Sequence, residues 1–240
     1  CNMRCKYCFY ADEMENRQQP SYGIMSEETL ENVIRETLAF AEGECTIAYQ
    51  GGEPTLAGLP FFRKSIELQK QYNVNHVKIY NALQTNGYCL DEEWCHFFAE
   101  NHFAAGQDTY FRVLEGIKRL EKYGVDYNIL TVVNAKTAPK IRKIYEQYRK
   151  NGWRYQQYIA CLDPLGEKPG TREYSLTPGM YGQFLCDLFE LWELDLEKGQ
   201  QPYIRMFENW VGIFLGCNPE SCEQRGVCSI QNIVEADGSV

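Results

Sequence analysis

The sequence predicts an α/β fold built from parallel strands, and three observations predict it. Strand and helix patterns alternate from residue 26 to residue 160, the signature of consecutive βαβ units. Two of the strand segments end in polar or glycine-rich turns, QGGEP at residues 50–54 and LQTNG at 83–87; parallel architectures build their sites at such carboxyl ends. At 240 residues the chain is long enough to bury a full core in one main domain.

The elements follow in order. Ser26 reads as a helix N-cap, with Met25 able to staple against Leu30. Leu30, Val33, Ile34, Leu38 and Ala41 then recur at helical spacing. CTIAYQ, at residues 45–50, is a short buried strand ending at Gly51 and Gly52, and residues 61–72 are helical. VKIYNALQ (77–84) is the next strand and 91–101 the next helix. Helix 109–123, strand 127–133, helix 139–151 and strand 155–160 complete the alternation. One step is missing. Only HFAAGQD separates the helix ending near Asn101 from the one starting near Thr109, and right-handed βαβ repetition wants a strand there. Residues are therefore expected to be skipped between Phe103 and Ala104. Past Thr177 a long helix runs to about Lys198, and GCNPESCEQRGVCSIQ follows as a loop broken by Gly216, Pro219 and Gly226. The expected division is a main domain over 1–176, then a linker helix and the start of a small extension over 177–240.

Bulk properties narrow the function. Formal net charge is -9 with scattered basic residues, which leaves no electrostatic footprint for nucleic acid. Apolar runs such as VDYNILTVV fall short of the roughly 20 residues that span a bilayer, so no membrane partner is expected either. Eleven cysteines, an odd number, suit a reducing cytoplasm better than an extracellular disulfide scaffold. A chain that opens on Cys1 without an initiator methionine reads as a fragment, so the lack of a visible leader says little.

The opening CNMRCKYCFY places Cys1, Cys5 and Cys8 in one short loop. Three thiolates on so short a loop can surround one inorganic centre. Zinc prefers four ligands, commonly from two separated pairs, whereas a four-iron cluster held by three cysteines leaves one iron open. Zinc, a cluster and inert thiols all remain open on spacing alone. In QGGEPTL, Gly51 and Gly52 let a ligand approach the backbone. Glu53 offers a carboxylate that suits an ammonium group, the plainer alternative being an ordinary strand-to-helix turn. Gln84, Thr85 and Asn86 are polar where a buried strand should be apolar, so they are expected at the mouth, with turn capping as the alternative. Cys161, in YIACLDPLG, reads as a small buried hydrophobe. His76, His96 and His102 have no partner motif and read as structural or surface residues.

A three-cysteine loop followed some forty residues later by Gly-Gly-Glu-Pro at a strand end resembles the radical S-adenosylmethionine family, and Tyr7 before the last cysteine fits its pattern. The resemblance implies a partial (β/α) barrel. It also implies a [4Fe-4S] cluster on Cys1, Cys5 and Cys8 whose open iron is chelated by S-adenosylmethionine, with Tyr7 at that cofactor site. Gly51, Gly52 and Glu53 would hold the amino group, Gln84, Thr85 and Asn86 the ribose, and Leu162 the adenine. SCEQRGVC followed by VEADGSV resembles the auxiliary-cluster (SPASM-type) extension of radical enzymes that modify peptides. Cys222 and Cys228 match the first two ligands of one of its one or two auxiliary [4Fe-4S] clusters. Further ligands, and an aspartate base, are expected beyond Val240, so the extension is truncated. A zinc site at this pair is the alternative; Cys217 matches no ligand position.

Within that branch CNMRCKYCFYADE, QGGEPTLAG, ALQTNG and CLDPLG resemble the anaerobic sulfatase-maturating enzymes. The resemblance implies oxidation of a sulfatase cysteine or serine to Cα-formylglycine through a 5′-deoxyadenosyl radical. Tyr10 and Gln50 would line the substrate pocket, and a flavodoxin- or ferredoxin-type protein would donate electrons. Two other readings are kept: a peptide maturase forming thioether or carbon–carbon crosslinks, and a non-catalytic iron–sulfur or zinc module. Gly51-Gly52-Glu53-Pro54 weighs against the module, since an electron carrier has no use for it.

Overall fold

Residues 1–107, 110–221, 224–226 and 231–240 are described by the computed structural model, 104–107 and 110–113 by their backbone alone. Two units divide the chain. Cys1–Arg4, Glu13–Tyr127 and Gln231–Val240 form one, and Cys5–Asp12 with Asn128–Ile230 the other.

In the first unit, helix α2 (Glu27–Phe40) starts where the sequence marks it: Ser26 accepts from the Thr29 N–H at 3.1 Å. Leu30, Ile34 and Leu38, one turn apart, are buried against Leu68 of α3 (Leu59–Tyr72), with Met25 packed on the same cluster. Strands β1 (Glu44–Tyr49), β2 (Lys78–Gln84) and β3 (Phe103–Gln107) pair in parallel in chain order, Tyr49 opposite Leu83 and Leu83 opposite Ala105. That register brings the carboxyl ends of β1 and β2 out at one edge of the sheet. Helix α4 (Glu92–Glu100) is capped by Asp91, which accepts from the Trp94 N–H at 3.0 Å, and α5 (Tyr110–Lys122) follows β3.

Strand β3 corrects the missing step. It consists of Phe103 followed by Ala-Ala-Gly-Gln, with no β-branched residue, so nothing in its pattern signals a strand. Phe103 carries it: the ring is 2% exposed and packs 5.4 Å from Phe97 and 5.5 Å from Phe98, centroid to centroid. The strand runs through the Phe103–Ala104 position at which skipped residues are expected. Phe62 and Trp94 extend the same aromatic core, their centroids 5.2 Å apart.

In the second unit β4 (Tyr127–Val133), β5 (Tyr155–Ala160) and the short β6 (Tyr203–Ile204) also pair in parallel. Helix α6 (Ile141–Lys150) and α7 (Pro178–Leu196) pack on them, Phe184, Leu188 and Trp192 recurring every four residues against Tyr158, Ile204 and Phe207. Strand β6 and α8 (Arg205–Phe214), neither expected from the sequence, share this core. Residues 177–214 thus build on the same sheet as β5, and the contacts do not divide at Thr177.

Helix α8 closes with Gly216 at φ 80°, the Cys217 N–H donating to Gly212 O at 2.8 Å and the Gly216 N–H to Ile213 O at 3.0 Å. This left-handed closure is a helix C-cap, so Cys217 serves the end of α8. Glu220 then ties the following segment back, its N–H to Asn209 and its carboxylate to the Tyr203 hydroxyl, both at 2.6 Å. Cys222 and Cys228 lie outside the described residues. Among the described residues no helix is long and apolar enough to cross a membrane.

Candidate active site

The turn after β1 is built on two consecutive glycines with positive φ, Gly51 at 88° and Gly52 at 61°. Side chains rarely adopt that region. A Cβ on Gly52 would sit 3.6 Å from the Cys1 backbone nitrogen, so the first residue of the cysteine loop runs close past this turn. Pro54 then opens a short 3-10 turn whose N-cap is Glu53.

Glu53 is 6% exposed and accepts on both oxygens. Its Oε1 takes the Thr55 N–H at 3.1 Å, the Thr55 hydroxyl at 2.6 Å and the Thr85 hydroxyl at 2.7 Å; its Oε2 takes the Asn86 N–H at 2.7 Å. A carboxylate has about four acceptor positions. Two of its four bonds stay within the turn and two join the turn to the β2 end, and the more lightly used oxygen is Oε2. Thr85 is a correction: it is 4% exposed, its hydroxyl bonded to Glu53 and to the Gly87 N–H at 3.0 Å, so it sits behind the mouth and holds the turn. Gln50 and Gln84 are exposed where the two strands end. Asn86 turns its Oδ1 to the Tyr88 N–H at 3.0 Å and its Nδ2 to Asn2 Oδ1 at 2.7 Å.

In the second unit Cys5 and Cys8 are half-buried, the Cys8 N–H donating to Cys5 O at 3.1 Å in a tight turn before α1 (Phe9–Asn16). That helix buries none of its residues, so no apolar period announces it and its start reads as linker. Tyr7, Cys8, Phe9, Asp12 and Leu162 line one cleft. Leu162 is 64% exposed, and the preceding Cys161 N–H continues the β4 ladder to Val133 O at 2.8 Å. Cys161 is half-buried rather than buried, and desolvation pushes its thiol above the ordinary value. Asp12 accepts from the Leu165 N–H at 2.9 Å, joining α1 to the Leu162 loop. Asp163 is bonded by the Ser175 hydroxyl and by the Gly170 N–H at 2.8 Å; the Ser175 bond first, then the backbone bond, hold its carboxyl below the usual value. Burial, and then the charge of Cys8, raise the Tyr10 phenol above its ordinary value. His76 and His102 sit exposed at left-handed turns with φ of 54° and 52°, and His96 lies exposed against the Tyr123 ring.

Against known proteins, the Radical SAM superfamily matches residues 1–147. The cysteine-type anaerobic sulfatase-maturating enzyme of Clostridium perfringens is 41% identical over 259 aligned positions, taking in 100% of this chain and 70% of that protein. This chain belongs to the radical SAM superfamily. The solved structure titled native anSMEcpe with bound AdoMet and Cp18Cys peptide overlays at a TM-score of 0.91 and 41% identity, covering 100% of this chain and 69% of that one. The serine-type anaerobic sulfatase-maturating enzyme of Klebsiella aerogenes is 30% identical, over 100% of this chain and 63% of its own length.

The cysteine loop of this radical SAM chain has the donor chemistry for a cluster. None of its three cysteines is in a disulfide, and three thiols fall within eight residues. Among the described residues no three His, Cys, Asp or Glu side chains are already gathered as a ligand set. Three supporting residues escaped the sequence reading: Asn2, Thr55 and Asp12. Asn2 and Asp12 are small polar residues whose partners, Asn86 and Leu165, lie far along the chain, whereas Thr55 bonds Glu53 two residues before it and, directly after the Gly-Gly-Glu-Pro run, carried a local signal.

Proposed function

We propose that this chain oxidises a cysteine of a sulfatase polypeptide to Cα-formylglycine. The observation that carries the proposal is the Glu53 clamp. It fixes the Gly51-Gly52 turn, against which Cys1 runs, to the Thr85-Asn86 strand end, in a chain 41% identical from end to end to a cysteine-type maturase. Lower identity to the serine-type relative, 30%, favours cysteine as the target.

Cys1, Cys5 and Cys8 would hold a [4Fe-4S] cluster that, with S-adenosylmethionine, would supply the one-electron chemistry removing a hydrogen atom from the substrate Cβ; loss of a proton and a second electron would leave a thioaldehyde, which water would hydrolyse to the aldehyde with release of hydrogen sulfide. The chain's own residues bind and orient. Gly51 and Gly52 would leave room for the methionine end of the cofactor, and the acceptor capacity left on Glu53 Oε2 would suit its ammonium group. Gln84 and Asn86 serve the ribose side, with Thr85 holding them from behind, while Leu162 and Tyr7 offer apolar contact to the adenine side. Tyr10, neutral, donates a hydrogen bond toward the peptide, and Gln50 contributes an amide at the β1 end. Cys222 and Cys228 would begin a ligand set for one of one or two auxiliary clusters, whose chemistry would be acceptance of the second electron. A flavodoxin- or ferredoxin-type donor supplies the first reducing equivalent.

The test is anaerobic. The reconstituted protein receives reductant, S-adenosylmethionine and a sulfatase-derived peptide carrying cysteine, serine or alanine at the target. Formation of 5′-deoxyadenosine with conversion of the cysteine peptide to the aldehyde supports the proposal. 5′-Deoxyadenosine without change in any peptide overturns the sulfatase assignment and keeps the radical chemistry.

A further inference from the structure

Asn2 follows the first cysteine directly, and its side chain reaches back to the carboxyl end of β2. Its Oδ1 accepts from Asn86 Nδ2 at 2.7 Å, and its Nδ2 donates toward Cys89 Sγ at 3.7 Å. Asn86 is fixed from elsewhere too, through its N–H on Glu53 Oε2 at 2.7 Å and its Oδ1 on the Tyr88 N–H at 3.0 Å. An unbroken run of hydrogen bonds thus leads from Glu53 through Asn86 to the residue beside Cys1, and a Cβ added to Gly52 would meet the Cys1 backbone nitrogen at 3.6 Å. Cys1 itself is exposed.

We propose that Asn2 is a positioning residue. It locks the first cysteine of the loop to the β2 end, so that an iron held by Cys1 and a nucleoside held at Asn86 keep one fixed separation. The proposal rests on the radical SAM reading of these residues given above. Asn2 itself touches neither the substrate nor a reacting atom; it acts through Cys1 and Asn86. An alanine leaves both bonds unmade. An aspartate keeps the acceptor for Asn86, loses the weak donation to Cys89 and adds a negative charge.

The test uses the reconstituted protein and the cluster's own paramagnetic signal. Wild type, N2A and N2D are reduced, and their spectra are followed as S-adenosylmethionine is added. The expected result is equal iron content in all three and equal spectra before addition. N2A should then need about tenfold more S-adenosylmethionine than wild type for the same spectral change, the factor that loss of one or two hydrogen bonds brings. N2D should return to within about threefold, the remainder of that factor. Backbone amide exchange of the protein without cofactors gives a second reading: the Asn86 and Tyr88 amides should exchange faster in N2A. Equal titrations for wild type and N2A overturn the proposal while leaving the radical SAM reading intact. A wild-type spectrum unmoved by S-adenosylmethionine overturns both. Loss of iron from N2A and N2D alike also overturns it, since Asn2 would then serve loop folding rather than cofactor position.

Discussion

Replacing Glu53 by glutamine tests the clamp at one atom. The side chain keeps its size, and the site is 6% exposed, so the change is one of hydrogen bonding and charge. Both carboxylate oxygens accept from backbone N–H groups, Oε1 from Thr55 at 3.1 Å and Oε2 from Asn86 at 2.7 Å. A glutamine can offer an oxygen to only one of them. Whichever way the amide turns, its NH2 faces the other backbone N–H, and that donor is left without an acceptor. An unsatisfied buried donor costs about 1–3 kcal/mol. The remaining bonds also fall from charge-assisted to neutral, roughly halving their strength. Together this amounts to about 3 kcal/mol. In a chain of this size each kcal/mol lowers Tm by about 2–4 °C, so E53Q should melt about 6–12 °C below wild type. The assay is thermal unfolding of the cofactor-free protein at neutral pH. An unchanged melting temperature would refute the reasoning and return Glu53 to a purely ligand-facing role.

Other substitutions probe the frame around it. Phe62 is fully buried, with ring centroids 4.9 Å from Tyr49 and 5.2 Å from Trp94; F62A should cost about 3–5 kcal/mol in denaturant unfolding, and a loss below about 1 kcal/mol would show that the core under β1 is loosely packed. G52A meets the Cys1 nitrogen at an ordinary 3.6 Å, so its penalty should be the left-handed strain alone, about 1–2 kcal/mol. G182A, in the second turn of α7 with nothing within 4 Å of the added Cβ, should stabilise by about 0.5–1 kcal/mol in the same melts. Asp163 is held chiefly by the Ser175 hydroxyl, which lowers its pKa; its bonds are present above the ordinary aspartate range and lost as pH falls through the lowered value. S175A should move that loss to higher pH, seen as earlier exchange of the Gly170 amide on acidification, and an unmoved profile would assign the shift to the backbone bond instead.

How much of this was legible depends on whether a residue's partner lies near it in the chain. Ser26, Leu30, Ile34 and Leu38 declare α2 because cap and apolar face fall within one helical repeat. Strand β3 was hidden because one ring carries it: Phe103 packs on α4 residues, while Ala-Ala-Gly-Gln shows neither alternation nor β-branched bulk. Helix α1 was hidden for the opposite reason, since it buries nothing. At the site, Gly51, Gly52 and Glu53 stood out by type, and Thr85 and Asn86 by being polar at a strand end. What the residues do to each other did not. Thr85 was expected at the mouth because polarity at a strand end suggests exposure, yet a buried carboxylate from the neighbouring strand turn gives it a reason to be inside.

That buried carboxylate also explains why the two motifs belong together. Glu53 and Thr85 are 32 residues apart in the chain and 2.7 Å apart in space. The distance closes because β1 and β2 are parallel and in register, so that any residue just past Tyr49 meets any residue just past Leu83. A polar side chain at either end alone would turn to water. A carboxylate at one end and donors at the other can both leave water only as a pair, because each unsatisfied partner would carry its full desolvation penalty. The Gly-Gly-Glu turn and the Thr-Asn strand end therefore fold as one unit.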